Sequence, residues 1–198
     1  AYAAGRYDDA LVSLDQVDAT ARPALARKAR FQKGNAEYRL GLAARNANLD
    51  DTIAHWKQSL GHYQDVLREA PDDALSRTNF AVVRRQLMDL LLRDARKQMQ
   101  AAQRPNLADA QKIQPLRNAF EKFNDAHQVD PDNAEAARDL SVSLTRMGQV
   151  RGQAGDMVAA VAALTEAFGI LDGFVQEGRP MDPEMVQAHQ ALKKMLAG

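Results

Sequence analysis

The chain contains no cysteine, which excludes disulfides, thiolate nucleophiles and thiolate metal centres and leaves its redox compartment unmarked. Aromatic residues are scarce at 6%, while hydrophobic residues reach 45% and alanine is abundant. That balance favours helix over strand. Excess charge is also missing: 26 Lys and Arg face 26 Asp and Glu, so no long-range field gathers nucleic acid or anionic lipid. No apolar run is expected to approach the roughly 20 residues of a membrane span, and no basic-then-apolar leader precedes the opening AYAAGRYDDA. Neither nucleic-acid binding nor direct membrane insertion is expected.

The parts of an active site are absent too. There is no GxSxG and no serine with an evident histidine partner. GQAGD at residues 152–156 lacks the lysine and hydroxyl residue of a phosphate loop and any preceding strand, so it reads as a hairpin turn. His55 and His62 share a helix face but stand two turns, about 10 Å, apart, too far to share an ion. His127 and His189 have no ligand-type neighbour one turn away. No metal, cofactor or catalytic residue is expected. The acidic pairs Asp8/Asp9, Asp50/Asp51 and Asp72/Asp73 each fall at a helix start, where free amides and the helix dipole favour negative charge.

What is present is a repeat. APDDA at residues 70–74 and DPDNA at residues 130–134 are near copies. Upstream of Pro71 stand Trp56, Leu60, Tyr63 and Val66. Upstream of Pro131 stand Leu116, Ala119, Phe120, Phe123 and Ala126, again at helical spacing. Proline after a helix cannot continue its ladder, and the Asp or Asn that follows caps the next helix. With glycine and asparagine as punctuation, helices are predicted over 6–18, 22–47, 50–69, 73–103, 107–129, 133–153, 156–176 and 182–196. The short breaks make sequential neighbours antiparallel. Gly34, Ala36, Ala81 and Ala160 are expected where helix backbones approach, and Tyr38, Trp56, Tyr63, Phe80, Phe120, Phe123 and Phe168 in the core. Arg84, Arg85, Arg93, Arg96 and Lys97, interrupted by Asp89 and Asp94, read as a solvated, ion-paired face or as a dock for an acidic segment.

GNAEYRLG at residues 34–41 resembles the first-helix signature of a tetratricopeptide repeat, and GRYDDAL at residues 5–11 resembles the turn and second-helix start of another. Residues 133–167 are similar to the longer repeats of bacterial arrays related to kinesin light chains. NAEYRLG with DDALSRTNFAVVRRQL at residues 72–87 is similar to repeat proteins of bacterial aerotolerance (Bat) operons. The resemblance implies an all-α, right-handed solenoid of antiparallel hairpins in one domain over 1–198. It would comprise about three and a half hairpins over 1–181 and a capping helix over 182–196, on which Met185, Ala188, Leu192 and Met195 form the apolar face. The helices are unusually long: a standard repeat takes about 34 residues, whereas Pro71 and Pro131 lie 60 apart. The hairpin mate of the GRYDDAL helix is expected to precede it, outside the chain.

The resemblance further implies a non-catalytic scaffold or adaptor whose concave face holds a protein partner. Its contact positions map to Gln32, Asn35 and Arg39, to Asn79, Val82 and Gln86, and to Arg138, Val142 and Arg146. Phe31, Glu135 and Asp139 stand where chaperone-binding members place cations for a terminal carboxylate. An internal extended segment or an amphipathic helix is therefore the expected ligand. A structural subunit that self-associates through its extended helices, or the regulatory part of a larger enzyme, are the alternatives. The aerotolerance-type resemblance implies a periplasmic or membrane-associated setting, and the kinesin-light-chain-like one a cytoplasmic setting.

Overall fold

A computed structural model describes residue 2, residues 5–20 and residues 22–197. The described residues form eight α-helices and no strand: α1 (Tyr7–Thr20), α2 (Pro23–Ala44), α3 (Leu49–Glu69), α4 (Ala74–Ala102), α5 (Asp109–Val129), α6 (Ala134–Gln153), α7 (Met157–Gln176) and α8 (Pro183–Ala197). Most ends lie within two residues of the sequence expectation. α2 is the exception, stopping at Ala44 ahead of the Asn48 cap of α3 rather than at 47.

The two near-copies fold alike. The amide of Ala70 donates to Val66 O and that of Asp130 to Ala126 O, closing α3 and α5. Asp73 Oδ1 then accepts from the Ser76 amide at 2.7 Å, and Asn133 Oδ1 from the Ala136 amide at 2.9 Å. Each turn thus closes one helix and caps the next. The backbone bond also holds the Asp73 carboxyl below its ordinary range. GQAGD is a hairpin turn in which Gly155 takes φ +86°, a left-handed value that suits glycine, and Asp156 caps α7 through the Ala159 amide at 3.1 Å.

The chain divides into two compact units, 1–87 and 88–198, with α4 contributing its first half to one and its second half to the other. In the first unit, α2 packs on both α1 and α3. The α2–α3 seam is close because glycine meets aromatic ring: a Cβ at Gly34 would sit 2.7 Å from Tyr63 Cε1, and one at Gly41 2.4 Å from the Trp56 ring. Contacts that pair 34 with 63 and 41 with 56 run antiparallel. Ser59 Oγ donates to Gly34 O at 2.7 Å, and the Trp56 indole N–H to Tyr38 O at 3.3 Å. On the other side of α2, Lys33 Nζ lies 2.7 Å from Asp15 Oδ1 and 2.9 Å from Asp18 Oδ2 on α1. Burial would lower the Lys33 pKa, but these carboxylates outweigh it and the net shift is upward. Arg30 joins Asp18 and also pairs with Glu69 on α3.

In the second unit, α6 and α7 form the central seam, with α5 on α6 and α8 on α7. Small residues make the fit: Ala136, Ala137 and Ser141 on α6 are buried, as are Ala160, Ala163 and Ala167 on α7. Ser141 Oγ donates to Ala167 O at 3.2 Å, and a Cβ at Gly148 would sit 3.0 Å from Leu164 Cγ. The expected stripe of α5 is buried at Leu116, Ala119, Phe123 and Ala126, and α8 buries Met185 and Leu192.

Several expectations need correction. Ala81 is exposed rather than at a close approach, and Tyr38, Phe80, Phe120 and Phe168 are only half-buried. Met195, expected on the inner face of α8, is 53% exposed. The expectation that no stretch is long and apolar enough to cross a membrane also fails: α7 has 20 residues and contains an 18-residue stretch with a mean hydropathy of 1.7. Its apolar character comes from Ala and Val together with Leu164, Phe168, Ile170, Leu171 and Phe174, and one face of it, including Leu171 and Phe174, is core.

Candidate binding strip

Six of the nine contact positions fall in the first unit and lie on two helices held side by side. Asn79 Nδ2 on α4 donates to Asn35 Oδ1 on α2 at 3.0 Å, and the Tyr63 hydroxyl on α3 donates to the same oxygen at 2.7 Å. Less than one turn on along α2 and two turns on along α4, the Tyr38 hydroxyl donates to Gln86 Oε1 at 3.1 Å. Residue 35 meets 79 and 38 meets 86, so α2 and α4 run parallel, with α3 packed against α2 in the opposite direction. A helix pair of like direction, two elements apart in the chain, is what stacked hairpins produce.

The bonds assign different jobs to these residues. Asn35 is committed within the chain, because its oxygen accepts from Tyr63 and Asn79 while its Nδ2 donates to Gln32 Oε1 at 3.2 Å. It positions its neighbours. Burial raises the Tyr63 phenol to about 12, which keeps it a neutral donor throughout the physiological range. Gln32, Arg39 and Val82 are exposed, and Asn79 and Gln86 half-buried. These are the side chains a ligand would meet.

Beside Gln32 opens a cavity of about 330 Å³ lined by Arg27, Lys28, Phe31, Val66, Asp73 and Leu75. Its floor is Phe31 and Val66, its rim carries two cations, and Leu75 at its mouth is 67% exposed. Sequence reasoning passed over Arg27, Lys28 and Leu75. A signal existed in the apolar Leu75 directly following the cap turn, where the buried stripe has not yet begun.

The three contact positions of the second unit are not equivalent. Arg138 is engaged within the chain, at 3.0 Å from Asp182 Oδ2 and 3.2 Å from Asp139 Oδ1, with Glu184 at 3.7 Å. Val142 lines a cavity with Arg96, Met99, Phe123 and Asp139. Arg146 lines another, with Arg104 and Lys112. The basic stretch on α4 is ion-paired in part: Arg96 Nη2 lies 2.6 Å from Asp139 Oδ2 and 2.5 Å from Glu135 Oε1 on α6.

The histidines divide into two kinds. His55 Nδ1 lies 2.7 Å from buried Glu37, and His189 Nε2 3.0 Å from Asp172. His62 and His127 are held below their ordinary pKa by burial, helped at His62 by Lys33 and at His127 by Arg179. Among the described residues, no three His, Asp or Glu side chains converge as a metal site would need. No family model, curated protein or solved structure matches the chain.

Proposed function

We propose that the chain is a non-catalytic scaffold of the tetratricopeptide type, a solenoid of hairpins that holds a segment of a protein partner. The reading rests chiefly on one observation: α2 and α4 run parallel and are pinned by Asn35–Asn79 and Tyr38–Gln86, which sets Gln32, Arg39, Asn79 and Val82 in one strip beside an apolar cavity. Pinning before a ligand arrives lowers the ordering cost of binding. Gln32 and Asn79 offer amides that donate and accept, as an extended backbone requires. The Phe31–Val66–Leu75 cavity takes one apolar anchor.

The test is capture from the native lysate on wild-type chain and on a Gln32→Ala, Leu75→Glu double variant, both sites being exposed so that folding is spared. Circular dichroism would verify the fold. At least tenfold less of one abundant partner on the variant, with full retention on a Val12→Glu control, supports the strip. Equal retention on all three baits removes it.

A second reading, a self-associating structural subunit, draws on Met157, Val158 and Val161 of α7, of which Val158 is 85% exposed. Reversible oligomers of the pure chain, lost in a Val158→Asp, Val161→Asp variant on sedimentation, would favour it over the scaffold.

A further inference from the structure

The second unit carries a cavity that the strip does not use. About 420 Å³ in volume, it lies where α4 ends, the loop over 103–108 turns, and one face of α6 passes. Clefts of about 300 to 1,000 Å³ are the usual size of ligand sites. Among the described residues its lining is one-sided in charge: Arg104 from the loop, Lys112 from α5 and Arg146 from α6, with no carboxylate and no aromatic ring. The remaining polar groups are the amides of Gln103, Gln149 and Gln153. Leu116 and Val150 add a small apolar floor.

The contrast with neighbouring arginines is informative. Arg138, two turns earlier on α6, meets carboxylates of Asp139, Asp182 and Glu184, and Arg96 meets Glu135 and Asp139. Arg146 and Arg104 have no such counter-ion among the described residues. In a chain of zero net charge, a concave site where two arginines, Arg104 and Arg146, lack a counter-ion among the described residues is electrostatically incomplete, and a ligand can supply what is missing.

We propose that this cavity docks side-chain carboxylates of an acidic, internal peptide segment. Guanidinium groups pair with carboxylates in two-point geometry. The three glutamine amides both donate and accept, so they can satisfy the neutral peptide groups between the acids. A nucleotide is a poorer fit, because no ring lines the cavity to stack a base. The proposal rests on the partner-binding reading but uses different residues, in the other unit, and the experiment treats them separately.

The probe is a short fluorescein-labelled peptide of glutamate and alanine, acetylated and amidated so that only side-chain carboxylates carry charge, titrated by anisotropy at two ionic strengths. Wild type should bind, more tightly at low salt. Arg104→Gln with Arg146→Gln should weaken binding by at least about tenfold, the loss expected for two charged hydrogen bonds. Arg104→Lys with Arg146→Lys should recover part of it. A charge-matched control in the first unit, Arg45→Gln with Arg85→Gln, and the Gln32→Ala, Leu75→Glu variant should stay within about twofold of wild type. Absence of binding to wild type, or equal weakening in the charge-matched control, overturns the proposal. So does displacement of the peptide by inorganic phosphate at matched concentration, which would make this a small-anion site. Equal lysate capture by wild type and the Gln32→Ala, Leu75→Glu variant, with peptide binding intact, would instead locate the failure in the first-unit strip.

Discussion

The two units solve one packing problem with different chemistry. Both set a buried serine to donate to the carbonyl of the facing helix, Ser59 to Gly34 and Ser141 to Ala167. Around that shared device they diverge. The first unit seats Trp56 and Tyr63 on glycines, whereas the second packs alanine on alanine with leucine and phenylalanine at the margins. Lateral ties differ as well: neutral amide and phenol bonds join α2 to α4, while ion pairs join α4 to α6 and α6 to the start of α8. Packing of sequential helices therefore constrains where they approach and leaves open which residues fill the gap.

The sharpest way to break the comparison is at the glycines. Gly41→Ala would drive a methyl to 2.4 Å from the Trp56 ring, and overpacking of this kind costs about 1 to 3 kcal/mol. Gly148→Ala meets Leu164 Cγ at 3.0 Å and the Ala160 carbonyl oxygen at 3.1 Å, looser contacts than at Gly41, and gains up to about 1 kcal/mol of helix propensity. It should cost less than Gly41→Ala. Urea unfolding of the two variants should rank them in that order, and a Gly148→Ala as damaging as Gly41→Ala would refute the proposed difference in closeness.

Next in size are the lateral ties. Asn79→Ala leaves Asn35 and Tyr63 short of a partner and should cost about 1 to 2 kcal/mol, independent of salt. Arg96→Gln should cost less, about 1 kcal/mol or below, because the Arg96 side chain is partly exposed. Raising the salt should shrink that penalty. Parallel salt responses of the two variants would erase the distinction between neutral and ionic ties.

The smallest effect is common to both units. His62 and His127 have folded-state pKa values below the ordinary 6.5, so the unfolded chain binds protons more readily than the folded one. Their contribution to stability is full above pH 6.5 and is lost as the pH falls through the folded values. Stability should decline on acidification below about 6.5, and His62→Gln or His127→Gln should each flatten part of that slope.

Helices were legible in the sequence because their stops are chemical: the proline and Asp or Asn of the two turns, the Asn48 cap and Gly155 all act locally. Which stripe is buried was less legible for small residues. Ala81 sits one position from half-buried Phe80, and an alanine carries too little apolar area to declare its side. Phe174 passed unnoticed, although it is fully buried beneath the Arg179 guanidinium, 3.8 Å from its ring centre. The polar strip could be proposed by position, but its pinning could not. Asn35 and Asn79 are separated by 44 residues, and only folding reveals that they spend much of their hydrogen-bonding capacity on each other. Arg138 shows the same limit, since its partner Asp182 stands just before α8 and caps its first turn.

The seating of Trp56 on Gly41 also bears on how such a sequence can change over time. Any side chain at 41 is blocked while the indole is present, and losing the indole first leaves a void worth about 3 to 5 kcal/mol. Each single step is therefore disfavoured, and replacement must arrive as a matched exchange of a smaller ring for a larger residue at 41. The two sites behave as one heritable character spread over two codons.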